Sequence, residues 1–178
     1  MRSLVVYESI YGNTRQVAEA IADGCRRSGP AFVVRAADFD PSALTEVDLL
    51  VLGGPTHAWS MSRPKTRQAG ITNPAAGTPP VEAKLDEPGI RELLGQLSRP
   101  GCPVAVYDTR VGAPALITGR ASAAIARRLR RLGVRPIGKQ SFLVSRTSRL
   151  RSGELERARL WGIELTERRS KPAGNRPG

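Results

Sequence analysis

Metal and thiol chemistry have almost nothing to work with in this sequence. It holds one histidine, His57, and two cysteines, Cys25 and Cys102. A zinc site of the usual His/Cys kind lacks the ligands it needs. The cysteines show no motif spacing, so neither a redox pair nor a disulfide framework is indicated. Both read as small buried or half-buried thiols, Cys25 on a helix and Cys102 just before a strand. Aromatic residues are scarce at 4%. No apolar run approaches the roughly 18 residues of a membrane helix, so no membrane insertion is expected. The opening stretch Met1-Arg2-Ser3-Leu4-Val5-Val6-Tyr7 meets Glu8 at once and is too short for a signal peptide, which leads us to expect a cytoplasmic protein.

What is present fits one globular domain. The chain has 178 residues, 40% of them hydrophobic, enough for a sizeable core and too apolar for wholesale disorder. Four short apolar runs stand out: Leu4-Val5-Val6, Phe32-Val33-Val34, Leu49-Leu50-Val51-Leu52 and Val104-Ala105-Val106-Tyr107. They are continuous rather than alternating, the pattern of strands covered on both faces in a parallel sheet. A fifth, weaker strand is expected within Val134–Phe142. Between them Thr14–Arg27 carries Val17, Ala18, Ile21, Ala22 and Cys25 on one helical face. Ala121–Leu132 repeats the pattern with Ile125, Leu129 and Leu132 inward, Arg127, Arg130 and Arg131 outward, and Gly133 as the C-terminal cap. A shorter helix is expected from Pro88 to Leu97, with the proline in its first turn. Ser152 is the expected cap of a last helix to about Glu167, buried through Leu155, Ala158, Trp161 and Leu165. This alternation implies right-handed βαβ units and a doubly wound, five-stranded parallel α/β sheet of order 2-1-3-4-5 with helices on both faces. We expect one domain over residues 1–169, a long Pro/Gly-rich loop over 70–86 and a frayed tail over 170–178.

The strongest local signal follows the first strand. Ser9-Ile10-Tyr11-Gly12-Asn13-Thr14 lies between a strand and a helix N-terminus. Free backbone N–H groups and the helix dipole there favour a phosphate without any Arg or Lys. Ser9, Asn13 and Thr14 can add side-chain donors, and Gly12 allows close approach or positive φ. This segment resembles the flavodoxin phosphate loop, Ser/Thr-x-Thr-Gly-x-Thr, which wraps the FMN phosphate. Ser9, Gly12 and Thr14 fit it; Tyr11 stands where flavodoxins carry threonine, as it often does in flavodoxin-like quinone reductases. The resemblance spans nearly the whole chain, down to Ser152-Gly153-Glu154-Leu155-Glu156-Arg157-Ala158 at the last helix start.

Two further segments sit where a 2-1-3-4-5 sheet places its ligand, beside strands one and three. Gly53-Gly54-Pro55-Thr56-His57-Ala58-Trp59-Ser60-Met61-Ser62 looks like the loop on which flavodoxin-like proteins seat the isoalloxazine ring. The resemblance implies that Pro55 rigidifies the entry, that Thr56 and His57 offer hydrogen bonds, and that Trp59 stacks on the ring or shields its edge. The plainer alternatives are Trp59 folded on the domain's own core and His57 facing solvent. Tyr107-Asp108-Thr109-Arg110-Val111-Gly112 corresponds to the loop that closes over the flavin. Backbone groups of Asp108 and Thr109 would meet the pyrimidine edge. Arg110 would either place positive charge near N1–O2 or be an ordinary surface charge.

Function readings follow from two features. The resemblance implies an FMN-binding redox protein: an electron carrier serving a partner enzyme, or an NAD(P)H-dependent reductase of quinones. The charge suggests a different class. Net charge is +12, and all of it lies in residues 101–178, which hold 17 Lys+Arg and 5 Asp+Glu against 11 and 11 in residues 1–100. Arg127, Arg128, Arg130, Arg131 and Arg135 form one cluster; Arg146, Arg149 and Arg151 form another. Such asymmetry points to an acidic redox partner, to a non-redox binding module for an acidic partner, or to a solvated face reflecting a bias of 24 Arg against 4 Lys. Nucleic acid fits worst, because these segments lack stacking aromatics and nucleic-acid motifs.

Overall fold

The expected strands and helices assemble as a three-layer α/β sandwich. A computed structural model describes residues 1–57, 60–74, 76–84, 86–112 and 119–170, with no side-chain detail for 168–170. The elements are β1 (Ser3–Tyr7), α1 (Asn13–Cys25), β2 (Ala31–Arg35), β3 (Leu49–His57), β4 (Ser60–Met61), α2 (Pro64–Thr72), α3 (Ile90–Gln96), β5 (Val104–Val111), α4 (Ala121–Arg131), β6 (Gly138–Val144) and α5 (Glu154–Ser170). Five parallel strands run in the order β2-β1-β3-β5-β6, which is 2-1-3-4-5 once the two-residue β4, antiparallel on the end of β3, is set aside.

Alternation along the buried strands divides the core into two faces. Leu4, Val6, Leu50, Leu52, Val104 and Val106 pack with Leu93 and Leu94 of α3 and Ile125 and Leu129 of α4. Val5, Tyr7, Leu49, Val51, Ala105, Tyr107 and Phe142 pack with Val17 and Ile21 of α1 and Ala158, Trp161 and Leu165 of α5. Each fully buried aliphatic side chain contributes about 1.5–3 kcal/mol of transfer free energy. Phe142 is edge-on to both Tyr107 and Trp161, with ring centroids 6.1 Å apart in each pair. Helices α1 and α5 touch backbone to backbone: a Cβ on Gly24 would fall 2.0 Å from the Arg159 carbonyl oxygen, and one on Gly162 2.2 Å from that of Ile21.

The sheet also positions the ligand edge. β1 stops at Tyr7, opposite Gly53. β3 continues beside β5 through Gly54↔Asp108 and Pro55↔Thr109, and β5 beside β6 to Val111↔Val144. The apolar runs ended earlier, at Leu52 and Tyr107; ladder hydrogen bonds with a neighbouring strand carry polar residues into the strands. The overhang leaves a recess above β1.

Several boundaries differ from expectation. Residues 70–72 are not loop but the last turn of α2, which Pro64 opens. The helix expected from Pro88 starts at Ile90, because the Glu92 side chain accepts the Gly89 N–H (2.8 Å) and makes Gly89 the entry. Ser152 does not cap α5: the chain turns at Gly153 (φ +80°), whose carbonyl takes the first helical bond from Arg157. Leu155 falls outside the buried stripe and is 42% exposed. The fifth strand lies later, at Gly138–Val144. Gly133 caps α4 at φ +75° as expected. Residues 171–178 of the expected tail lie outside the described residues. Among those described, no helix is long and apolar enough to cross a membrane, and no group of three or more His, Cys, Asp or Glu could hold a metal ion.

Candidate functional site

The turn from β1 into α1 is built to leave donors open. Gly12 precedes the helix in the left-handed conformation (φ +78°) and no side chain caps the helix from it. Its carbonyl accepts the first helical bond, from Gln16 (3.0 Å). Among the described residues, the N–H groups of Tyr11, Gly12, Asn13, Thr14 and Arg15 meet no backbone acceptor. The Ser9 hydroxyl is buried with no hydrogen-bond partner. A buried polar group without a partner within the protein has bonding capacity left for another group.

A cleft opens above this turn. Ser9, Ile10, Tyr11, Asn13 and Thr14 form its floor and one wall; Pro55, Thr56 and His57 of β3 and Thr109 and Arg110 of β5 form the rest. Three separate segments of sequence thus converge. Thr14 Oγ1 and Thr109 Oγ1 are hydrogen-bonded at 2.8 Å and tie the floor to β5. The Tyr11 hydroxyl donates to the Gly70 carbonyl (2.7 Å), so the tyrosine anchors α2 over the loop. The Asn13 amide donates to the Ser148 carbonyl (2.6 Å). It therefore holds the neighbouring turn rather than standing open as a donor. Burial, with the Arg67 cation nearby as a lesser cause, pushes the His57 ring below the usual imidazole range. His57 is neutral at neutral pH and able to donate one hydrogen bond and accept another.

Other side chains serve the scaffold. The Thr56 hydroxyl accepts from the Ala121 N–H (3.0 Å), and the Asp108 carboxylate from the Ser122 N–H (2.8 Å). Both therefore cap α4. Asp108 is fully buried and lies outside the cleft lining. Gly12 also lies outside the lining; a Cβ there would fall 2.4 Å from the Glu82 carboxylate. Trp59, expected at the ring, lies outside the described residues.

The sequence reading missed Val111, Val144 and Ser148, which complete the wall. Ser148 stands at φ +53° between residues 145 and 149, which bond to each other across a tight turn. Nothing in Ser-Arg-Thr-Ser-Arg distinguishes it from an ordinary surface turn. Glu82 was missed as well. Its N–H donates to the Ile10 carbonyl (2.7 Å) and its carboxylate takes two bonds from Arg15 (2.9 and 3.0 Å), strapping the 78–84 segment across the loop. Arg15 holds that carboxyl below its usual range.

Comparison with known proteins agrees with this geometry. Residues 4–66 match the model of the Flavodoxin domain family. A flavodoxin from the domain Archaea superposes with a TM-score of 0.62 at 20% identity, covering 94% of this chain and 98% of that one. The fold is flavodoxin-like. The flavodoxin of Streptococcus pneumonia TIGR4 gives a TM-score of 0.61 at 17% identity, covering 94% and 99% of the two chains. A flavodoxin, WrbA-like protein from Agrobacterium tumefaciens gives 0.56 at 18%, covering 96% and 99%. No curated protein matches the chain in sequence. The matched stretch 4–66 contains β1, the Ser9–Thr14 turn and the Pro55–His57 wall of this flavodoxin-like domain, so the family signal covers two of the segments that line the cleft.

Proposed function

We propose that this chain binds FMN in the cleft and acts as a redox protein that passes electrons to or from a partner. One observation carries the reading: a buried Ser9 hydroxyl without a partner beside a run of open N–H groups at a helix N-terminus. That donor set suits a phosphate dianion, and it lies beside β1 and β3, where a doubly wound sheet binds its ligand. Ser9 and the N–H groups of Tyr11 to Thr14 would hold the phosphate, with the Thr14 hydroxyl turned to it or to Thr109. Pro55, Thr56 and His57 on one side and Thr109 and Arg110 on the other would flank the ring. Arg110 would place positive charge beside it and favour its more anionic, reduced form. Bound there, FMN supplies the one- and two-electron chemistry that no side chain of this protein can supply. The chain's own part is to orient the ring, to keep a neutral imidazole beside it and to leave one edge open.

The test is an absorption spectrum of the purified protein, taken before and after addition of FMN and desalting. Flavin retained at one equivalent supports the reading, and bleaching by NADH or NADPH would then mark a reductase rather than a carrier. Failure to retain any flavin would overturn it and favour a binding module without redox chemistry.

A further inference from the structure

The molecule's excess charge is not spread evenly, and one part of it lines a concave surface. Residues 109–153 contain eleven Lys and Arg and no Asp or Glu. Several arginines elsewhere are matched with acids: Arg2 with Glu46, Arg15 with Glu19 and Glu82, Arg67 with Glu92, Arg159 with Glu156. Among the described residues, none of Arg127, Arg128, Arg130 and Arg131 of α4, nor Arg91 of α3, forms an ion pair. Cations suit the C-terminal end of α4, but that does not account for Arg91, which approaches from another helix.

Four of these arginines meet in a cleft between α4 and the β3–β4 hairpin, lined by Arg91, Arg127, Arg128 and Arg131 with Ser60 and Met61. Arg91 is held in place: Nε donates to the Ser62 carbonyl (2.7 Å) and Nη2 to that of Met61 (2.8 Å). Arg128 is half-buried, while Arg127 and Arg131 are exposed. The hairpin wall of this cleft is the direct continuation of the cofactor wall, since Thr56 pairs with Met61 and His57 with Ser60. A body seated in the arginine cleft therefore stands one hairpin away from the proposed ring.

We propose that this cleft docks an acidic segment of the protein that exchanges electrons with this one. The inference rests on the redox reading above for the partner's role, and on charge and shape for the partner's chemistry. Guanidinium groups on facing walls match carboxylates in pairs, and a pre-oriented Arg91 loses little freedom when one binds. A surface of one sign with no internal counter-charge also steers an oppositely charged partner and makes association strongly dependent on salt.

The test compares binding of an acidic plant-type ferredoxin, as a probe of the partner's chemistry, to full-length protein with and without added FMN. The double variant Arg127→Glu/Arg131→Glu reverses the charge of two of the cleft's four cations and leaves Arg91 and Arg128 in place. Arg135→Glu/Arg146→Glu makes the same charge change outside the cleft. Circular dichroism confirms that each variant folds, as expected for exposed side chains. The cleft variant is expected to bind about tenfold more weakly at low salt and the control within about threefold of the parent, with the difference shrinking in salt. Equal losses in both variants, or no binding by the parent, would overturn the proposal; so would tighter binding of duplex DNA with a steep salt slope. Cleft-dependent binding by a protein that retains no FMN would sink the redox reading and keep the acidic-protein site. Retained FMN without cleft-dependent binding would do the reverse.

Discussion

Ser9→Ala separates a cofactor role from a structural one because the two roles predict opposite signs. In the ligand-free protein the Ser9 hydroxyl is buried and has no partner. Removing it takes away an unsatisfied polar group, so the variant should be as stable as the parent or more stable by about 1 kcal/mol. With FMN the hydroxyl would donate to a phosphate oxygen, and a hydrogen bond to a charged group contributes about 1.5–3 kcal/mol. The dissociation constant should therefore rise roughly 10- to 150-fold. Quenching of FMN fluorescence on titration gives the affinity, and urea unfolding of the flavin-free protein gives the stability. Unchanged affinity would refute the phosphate assignment. A clear loss of stability would refute the claim that the hydroxyl has nothing to bond to in the fold.

Four other outcomes follow from the same geometry. Thr14→Val leaves the Thr109 hydroxyl without its 2.8 Å partner, so the flavin-free protein should lose about 1–2 kcal/mol by urea unfolding in addition to weakened FMN binding; unchanged stability would contradict the pairing. Gly162→Ala drives a Cβ to 2.2 Å from the Ile21 carbonyl, a backbone atom that cannot swing away, and should cost about 3 kcal/mol or more; an unchanged urea midpoint would mean that α1 and α5 do not touch as described. His57 is the sole histidine, so its ring protons can be followed by NMR without assignment. Its folded pKa lies below its unfolded value near 6.5, so the stability it confers is complete above that pH and is lost as pH falls through 6.5 towards the folded value; a ring titrating at or above 6.5 would contradict its burial. Arg67→Met strips the cation from buried Glu8 and should cost about 3–5 kcal/mol at neutral pH. Burial already holds the Glu8 carboxyl above its usual range, and loss of Arg67 raises it further, so this deficit should shrink as pH falls and the carboxyl protonates; a deficit independent of pH would contradict it.

The parts of the fold legible in the sequence were those governed by burial on a fixed period. Strands covered on both faces must be continuous apolar runs, and four of them placed β1, β2, β3 and β5. The 3.6-residue stripe placed α1 and α4 within a residue or two. The parts that were not legible depend on partners distant in sequence. β3 reaches His57 because Pro55 finds Thr109 on β5 and because Thr56 and His57 find Met61 and Ser60 on β4. α2 forms in a stretch with no useful apolar stripe because Tyr11 and Glu8 hold it from the other side of the site. The open-donor turn after β1 was legible because its geometry is local: a strand, a glycine with positive φ and a helix start within a few residues. Side-chain assignments at the other two segments were less so. The Thr56 hydroxyl has the right type and position for a ring contact, yet the N-terminus of α4, whose orphan N–H groups need acceptors, bonds to it and to a carboxylate oxygen of Asp108, a residue of which only backbone groups were expected at the ring.

The two stretches Ser62–Arg67 and Gly89–Glu92 are best understood as a wall rather than a lid. Glu8 leaves β1 immediately before the cofactor turn and is buried with Ser62 and Arg67. One carboxylate oxygen accepts the Ser62 hydroxyl and the other the Ile90 N–H (2.9 Å) at the start of α3. Arg67 of α2 bonds the Ser62 hydroxyl (2.9 Å) and pairs with Glu92 of α3 (2.9 Å), and Glu92 accepts the Gly89 N–H. Six residues from four segments thus close around the buried pair of Glu8 and Arg67. Opening the wall would expose a buried carboxylate and a buried guanidinium to partial solvation before either found a new partner, which is costly. A moving lid is drawn from weakly held segments with few buried contacts. Here the strong contacts lie within one residue of Ser9. The network therefore fixes the height of the turn against the sheet, and the donors of the turn are pre-organised before any ligand arrives. Adaptation to a ligand falls instead to the Glu82 strap, whose bonds to Arg15 are exposed and weak by comparison.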